Sequence, residues 1–131
     1  MNFDFRDIPG ERWESCGKTV PITASNVKKR AELLLGQYER TASLYPHNVA
    51  MVNLGDDFRF DYAVEWDQQY QNYMKLFEYI NANRDVYNAE VKFGTVSDYF
   101  QVNRVAMIIN SYFTHCFTFM VNSLDVAMLN T

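Results

Sequence analysis

The sequence predicts an α/β fold with parallel strands, and three observations carry that prediction. Two short apolar runs, residues 48–54 and 89–93, are bounded by Pro46, Gly55 and Gly94 and are too short for helices. Longer segments on either side repeat their apolar residues with helical period. A helix between two strands favours a parallel pair with a right-handed crossover.

Residues 1–24 read as irregular. Phe3 and Phe5 alternate with Asp4 and Arg6 as in an edge strand, Pro9-Gly10 marks a turn, and Ser25 is an N-cap candidate. From residue 26 to about 43, Val27, Ala31, Leu34, Leu35, Tyr38 and Ala42 recur every three or four positions, with Lys28, Lys29, Glu32, Glu39 and Arg40 on the wet side. The first strand, 48–54, follows Pro46 and reads as buried. A second helix spans roughly 65–82, with Trp66, Tyr70, Tyr73, Phe77 and Ile80 on one face. After a turn around Asn83, Arg84 and Asp85, the second strand alternates Ala89, Val91 and Phe93 with Glu90 and Lys92, so one side is wetter. Thr95 followed by Asp98 resembles a capping box opening a third helix.

The tail, 102–131, is apolar but carries Asn110, Ser111, His115, Asn122 and Asp125, which make it a poor membrane helix. No helical or strand period persists through it. It reads as a core helix or an unnatural tail, of uncertain origin, beside residues 1–101. Two strands are too few to stand alone, so the chain reads as a slice of a larger α/β sheet.

Composition narrows the function classes. The chain has 131 residues, 48% hydrophobic and 21% charged, which is globular and at most one domain. The net charge of −4 and the lack of a basic patch argue against nucleic acid. Cys16 and Cys116 match no zinc-ligand spacing, and His47 and His115 stand alone as packing or surface residues. The first residues contain no apolar core of a signal peptide, which by itself points to a cytosolic chain. Neither a phosphate-binding glycine loop nor a serine nucleophile elbow occurs.

The chemistry concentrates just after the first strand, at Gly55-Asp56-Asp57-Phe58-Arg59-Phe60. Adjacent carboxylates at a strand end serve as general acid or base, hold a divalent cation, or cap a turn. Arg59 is placed to orient a carboxylate or to donate to substrate hydroxyls. A receiver-like domain holding magnesium would need a further strand-end Asp and a Lys, and neither follows the second strand.

LGDDFRF, EWDQQYQNYMKLFEYIN and VKFGTVSDYF, in this order, closely resemble glycoside hydrolase family 38, the class II α-mannosidases. FDFRDIPG and NVKKRAELLLGQYERTASLY resemble its Golgi branch. The likeness covers about residues 2–101. It implies a fragment of a seven-stranded, largely parallel glycoside hydrolase/deacetylase-type β/α barrel that cleaves α-mannosidic bonds of N-glycans with retention. It further implies Asp57 as the acid/base, with Asp56 and Arg59 lining the substrate pocket. The family's zinc ligands and its aspartate nucleophile have no match among these residues, so no metal ligand is assigned. Golgi luminal localisation and a membrane anchor outside this chain are implied as well. Cys16 is followed by Gly17-Lys18 where the Golgi members continue Pro-Trp, a departure at an N-acetylglucosamine contact. Similarity stops after Phe100, which leads to the expectation of a truncated or mis-spliced product, inactive alone. The alternative is a non-catalytic sugar-binding or interaction remnant using the aromatic surface.

Overall fold

The computed structural model describes residues 20–45, 47–54, 62–109 and 117–123, with 105–109 and 117–123 described as backbone. In chain order the elements are α1 (Val27–Ala42), β1 (Val49–Leu54), α2 (Ala63–Ala82), the single turn α3 (Arg84–Tyr87), β2 (Ala89–Phe93), α4 (Val96–Ile109) and β3 (Phe117–Ser123). The strands form one parallel sheet in the order β1-β3-β2.

Strand alternation explains the layers. Along β1, Ala50, Val52 and Leu54 pack into the main core with α1 and α2, while Val49 and Met51 meet Tyr99 and Val102 of α4. Helices therefore cover both faces of β1, as expected of a strand in a parallel sheet. Along β2, Ala89, Val91 and Phe93 face the main core, and Lys92, on the other side, is exposed.

α1 buries the stripe its period foretells, namely Ala31, Leu34, Leu35, Tyr38 and Ala42. Each fully buried leucine contributes about 1.5–3 kcal/mol relative to exposure. Burial pushes the Tyr38 phenol well above the ordinary tyrosine value, because the charged form is desolvated. The residue at the N-cap is Asn26, not Ser25, and it makes no side-chain bond to the helix amides. Instead its Oδ1 accepts from the Thr23 amide at 2.9 Å and its Nδ2 donates to the Pro21 carbonyl at 2.9 Å, which folds the incoming segment. That segment is fastened to α2. Asn72 Oδ1 accepts from the Ile22 amide at 2.6 Å, and Lys75 Nζ donates to the Ile22 carbonyl at 3.3 Å, with Ile22 itself buried.

Three further features differ from the sequence reading. On α2, Tyr73, Phe77 and Ile80 are buried as expected, but Tyr70 is 56% exposed and Leu76 takes its share of the core. The turn at residues 83–85 tightens into α3, which ends at Asn88 in the left-handed region (φ 48°), a conformation asparagine tolerates better than most residues. β1 and β2 are parallel but do not pair, because β3 lies between them.

α4 continues to Ile109, and residues 117–123 supply the central strand. β3 is paired on both edges, by β1 and by β2. Among the described residues no helix is long and apolar enough to cross a membrane. The edge strand, turn and cysteine readings at Phe3, Phe5, Pro9, Gly10, Cys16 and Cys116 lie outside the described residues.

Candidate functional site

β1 runs straight into the acidic motif. Leu54, its last residue, is buried, and the next residue in sequence is Gly55. Asp56, Asp57 and Arg59 themselves lie outside the described residues, as does the whole stretch 55–61. The structure fixes what flanks it: the C-terminal end of a parallel sheet on one side and the first turn of α2 on the other. In parallel α/β sheets ligands bind at that end.

α2 opens at Tyr62, which is extended (φ −119°, ψ 135°) and whose carbonyl accepts from the Glu65 amide at 3.0 Å. The first half of the helix then buries polar side chains where the core would accept apolar ones. Glu65 is 1% exposed, Gln69 5% and Asn72 7%. Their spacing of four and three puts them on one stripe. Sequence reasoning passed over this stripe because it weighed only the aromatic residues between them. The signal was a polar repeat, Glu65-Gln69-Asn72, in helical register with the buried apolar residues Leu76 and Ile80.

Beside this stripe, Tyr70 stacks on Phe93 at the C-terminal end of β2, ring centroids 5.7 Å apart at 19°. Phe93 is held from beneath by Phe77 at 4.8 Å and by the edge of Tyr73 at 6.4 Å. Two residues on, α4 begins with the expected capping box. Asp98 Oδ2 accepts from the Thr95 amide at 2.8 Å and from its hydroxyl at 2.7 Å, and Thr95 Oγ1 accepts from the Asp98 amide at 3.2 Å. These bonds, with Lys92 nearby, hold the Asp98 carboxyl below its ordinary pKa.

His47 behaves as a packing residue at the other end of β1. Its ring lies against Tyr45 (5.7 Å, stacked) and Tyr99 (6.2 Å, tilted), and Nε2 is 3.2 Å from Asn103 Nδ2. His115 lies outside the described residues. A cleft of about 640 Å³ opens between the 22–27 segment and Lys75, Glu78 and Tyr79 in the later half of α2. That half of the helix points away from the acidic motif.

Among the described residues no three His, Cys, Asp or Glu side chains converge to hold a metal ion.

Comparison with known proteins agrees with the motif. The chain matches the family described as Glycosyl hydrolases family 38 N-terminal domain over residues 2–119. Alpha-mannosidase 2 of Spodoptera frugiperda is 54% identical over 100 residues, 76% of this chain and 9% of that protein. Alpha-mannosidase 2x of Mus musculus is 45% identical over 100 residues, 75% of this chain and 9% of its own length. Alpha-mannosidase 2 of Arabidopsis thaliana is 45% identical over 105 residues, 78% of this chain and again 9% of the relative. The chain thus spans about a tenth of the length of these curated relatives. With the family match covering most of the chain, these 131 residues belong to the glycosyl hydrolases family 38 N-terminal domain family.

Proposed function

We propose that this chain is a segment of the catalytic domain of a retaining α-mannosidase, one that carries the acid/base half of the carboxylate pair. The observation that carries the reading is the run of β1 into Gly55-Asp56-Asp57-Phe58-Arg59 at the C-terminal end of a parallel sheet. In this reading Asp57 protonates the departing glycosidic oxygen and then takes a proton from water, while Asp56 and Arg59 line the sugar pocket. A retaining enzyme holds its two carboxyls about 5–5.5 Å apart, and the second forms the covalent glycosyl intermediate. That second carboxyl, and the ligands of the family's zinc, come from other parts of a complete enzyme. The three strands are then a slice of a seven-stranded, largely parallel barrel-like sheet. The substrate class is mannose-containing N-glycans, and the compartment is the Golgi lumen.

A second reading, a non-catalytic sugar-binding or interaction remnant, draws support from Tyr70. Its ring is stacked on Phe93 and is still 56% exposed.

The test is hydrolysis of an aryl α-mannoside by the 131-residue chain with zinc added. No turnover is expected, since one carboxyl without its partner loses most of the transition-state stabilisation. Zinc-dependent turnover that disappears in Asp57→Asn would overturn the assignment of this chain as half a site. In an enzyme completed with the missing segments, Asp57→Asn should lower the rate about 10²–10⁴-fold, most of all for poor leaving groups. Unchanged activity there removes Asp57 from the acid/base role.

A further inference from the structure

Among the described residues, β1 and β2 make no ladder with one another, and each pairs with β3. Six residues of β1, Val49 to Leu54, are in register with Thr118 to Ser123, and five of β2, Ala89 to Phe93, with Phe117 to Val121. Thr118, Phe119, Met120 and Val121 are therefore paired on both sides. On β2 the Val91 amide and carbonyl point outward to the Asn81 side chain, so Glu90 and Lys92 turn theirs toward β3. Both neighbours carry fully buried residues, Ala50 and Val91, at the centre of the pairing. Without a strand in between, the inner edges of β1 and β2 would lose their main-chain partners in a dry setting, which a folded chain does not tolerate.

The family match stops at residue 119, inside β3, so residues 120–123 pair beyond the matched sequence. Pairing of this kind is made by the backbone and demands little of the sequence beyond an extended, apolar strand. We propose that the gap between β1 and β2 is a strand-acceptor slot, filled in this chain by its own residues 117–123. Occupation of the slot is what lets the segment fold as a cooperative unit. An extended apolar peptide aligned parallel to β1 is then a ligand for the same slot when β3 is removed. The proposal rests on main-chain register and is independent of the glycosidase reading.

Thermal and urea melts of the 131-residue chain test it, comparing Val121→Pro with Val121→Ile. Proline removes one ladder amide and is rejected by central strands, whereas isoleucine keeps the strand preference. Loss of the cooperative transition in Val121→Pro, with the transition kept in Val121→Ile, is expected. A chain ending at residue 116 should likewise lack a transition and regain it with excess synthetic peptide 114–126, but not with the same peptide carrying Val121→Pro. A cooperative melt at an unchanged midpoint in Val121→Pro or in the shortened chain overturns the proposal, and so does failure of the unmodified peptide to restore the transition.

Discussion

Asn81→Ala isolates the way this fold protects its β2 edge. Asn81 Nδ2 donates to the Val91 carbonyl at 2.9 Å and Oδ1 accepts from the Val91 amide at 2.9 Å, so one side chain imitates a neighbouring strand. Each such bond contributes a net of about 0.5–1.5 kcal/mol, and the pair about 1–3 kcal/mol. Two corrections lower the figure. Asn81 is exposed, which lets water replace part of what is lost. Alanine is also the better helix former by about 0.6 kcal/mol, an advantage reduced one residue from the end of α2. A net loss of about 1 kcal/mol is expected, read as a lower urea midpoint at unchanged slope.

Hydrogen exchange gives the sharper measurement. The Val91 amide should exchange about fivefold to tenfold faster in Asn81→Ala, while Glu90 and Lys92, whose amides turn toward β3, keep their rates. Asn81→Asp keeps an acceptor for the Val91 amide but sets a carboxylate against the Val91 carbonyl near a helix C-terminus, so it should be worse than alanine. If all three amides accelerate equally, or Val91 does not change, Asn81 is not an edge partner and the reasoning fails.

Asp98→Ala removes the acceptor that Thr95 uses twice, and the first turn of α4 should fray, seen as faster exchange of the Asp98 and Tyr99 amides. The folded pKa of Asp98 lies below its unfolded value, so the capping contribution is present above the ordinary carboxylate pKa and disappears as pH falls through the depressed one; Asp98→Asn should flatten that acid limb of a stability–pH profile. At the alkaline end the sign reverses. Burial raises Tyr38 well above the ordinary value, while burial and hydrogen bonding with Tyr79 push Tyr87 up to about 12, so the stability they confer is intact below pH 10 and is lost as pH rises. Tyrosinate absorbance should then rise together with unfolding, and Tyr38→Phe should delay that unfolding; independent titration of the phenols in a folded chain would contradict it.

The features legible in the sequence are those in which one side of an element meets water. α1 and β2 are half-wet, so their apolar positions recur at 3.6 and 2 residues and their bounds fall within a residue of the structure. The capping box at Thr95 and Asp98 is equally legible, because only short polar side chains can satisfy free helix amides. β3 left no such trace. A strand paired on both edges answers mainly to its main-chain ladders, which leave little mark on the order of its side chains. The polar stripe of α2 failed for the opposite reason. Glu65, Gln69 and Asn72 sit at core-facing positions of α2, and a reading that equates polarity with solvent assigns them outward.

The same distinction governs the site. Asp56, Asp57 and Arg59 stand out in the sequence because two carboxylates and a guanidinium fall within four residues directly after an apolar run. The packing that flanks them is shared among distant residues: buried Leu54 at the end of β1, buried Glu65 in the first turn of α2, and β3 setting the spacing to β2. Two inter-strand steps of about 4.8 Å separate the C-terminal ends of β1 and β2. Replacing β3 by a strand of other sequence would therefore leave the motif readable while changing what stands beside it. Membership of the family follows from the match over residues 2–119, whereas the proposed glycosidase role asks in addition which strands complete the sheet around the motif. The two are separate questions for a chain that spans about a tenth of its relatives' length.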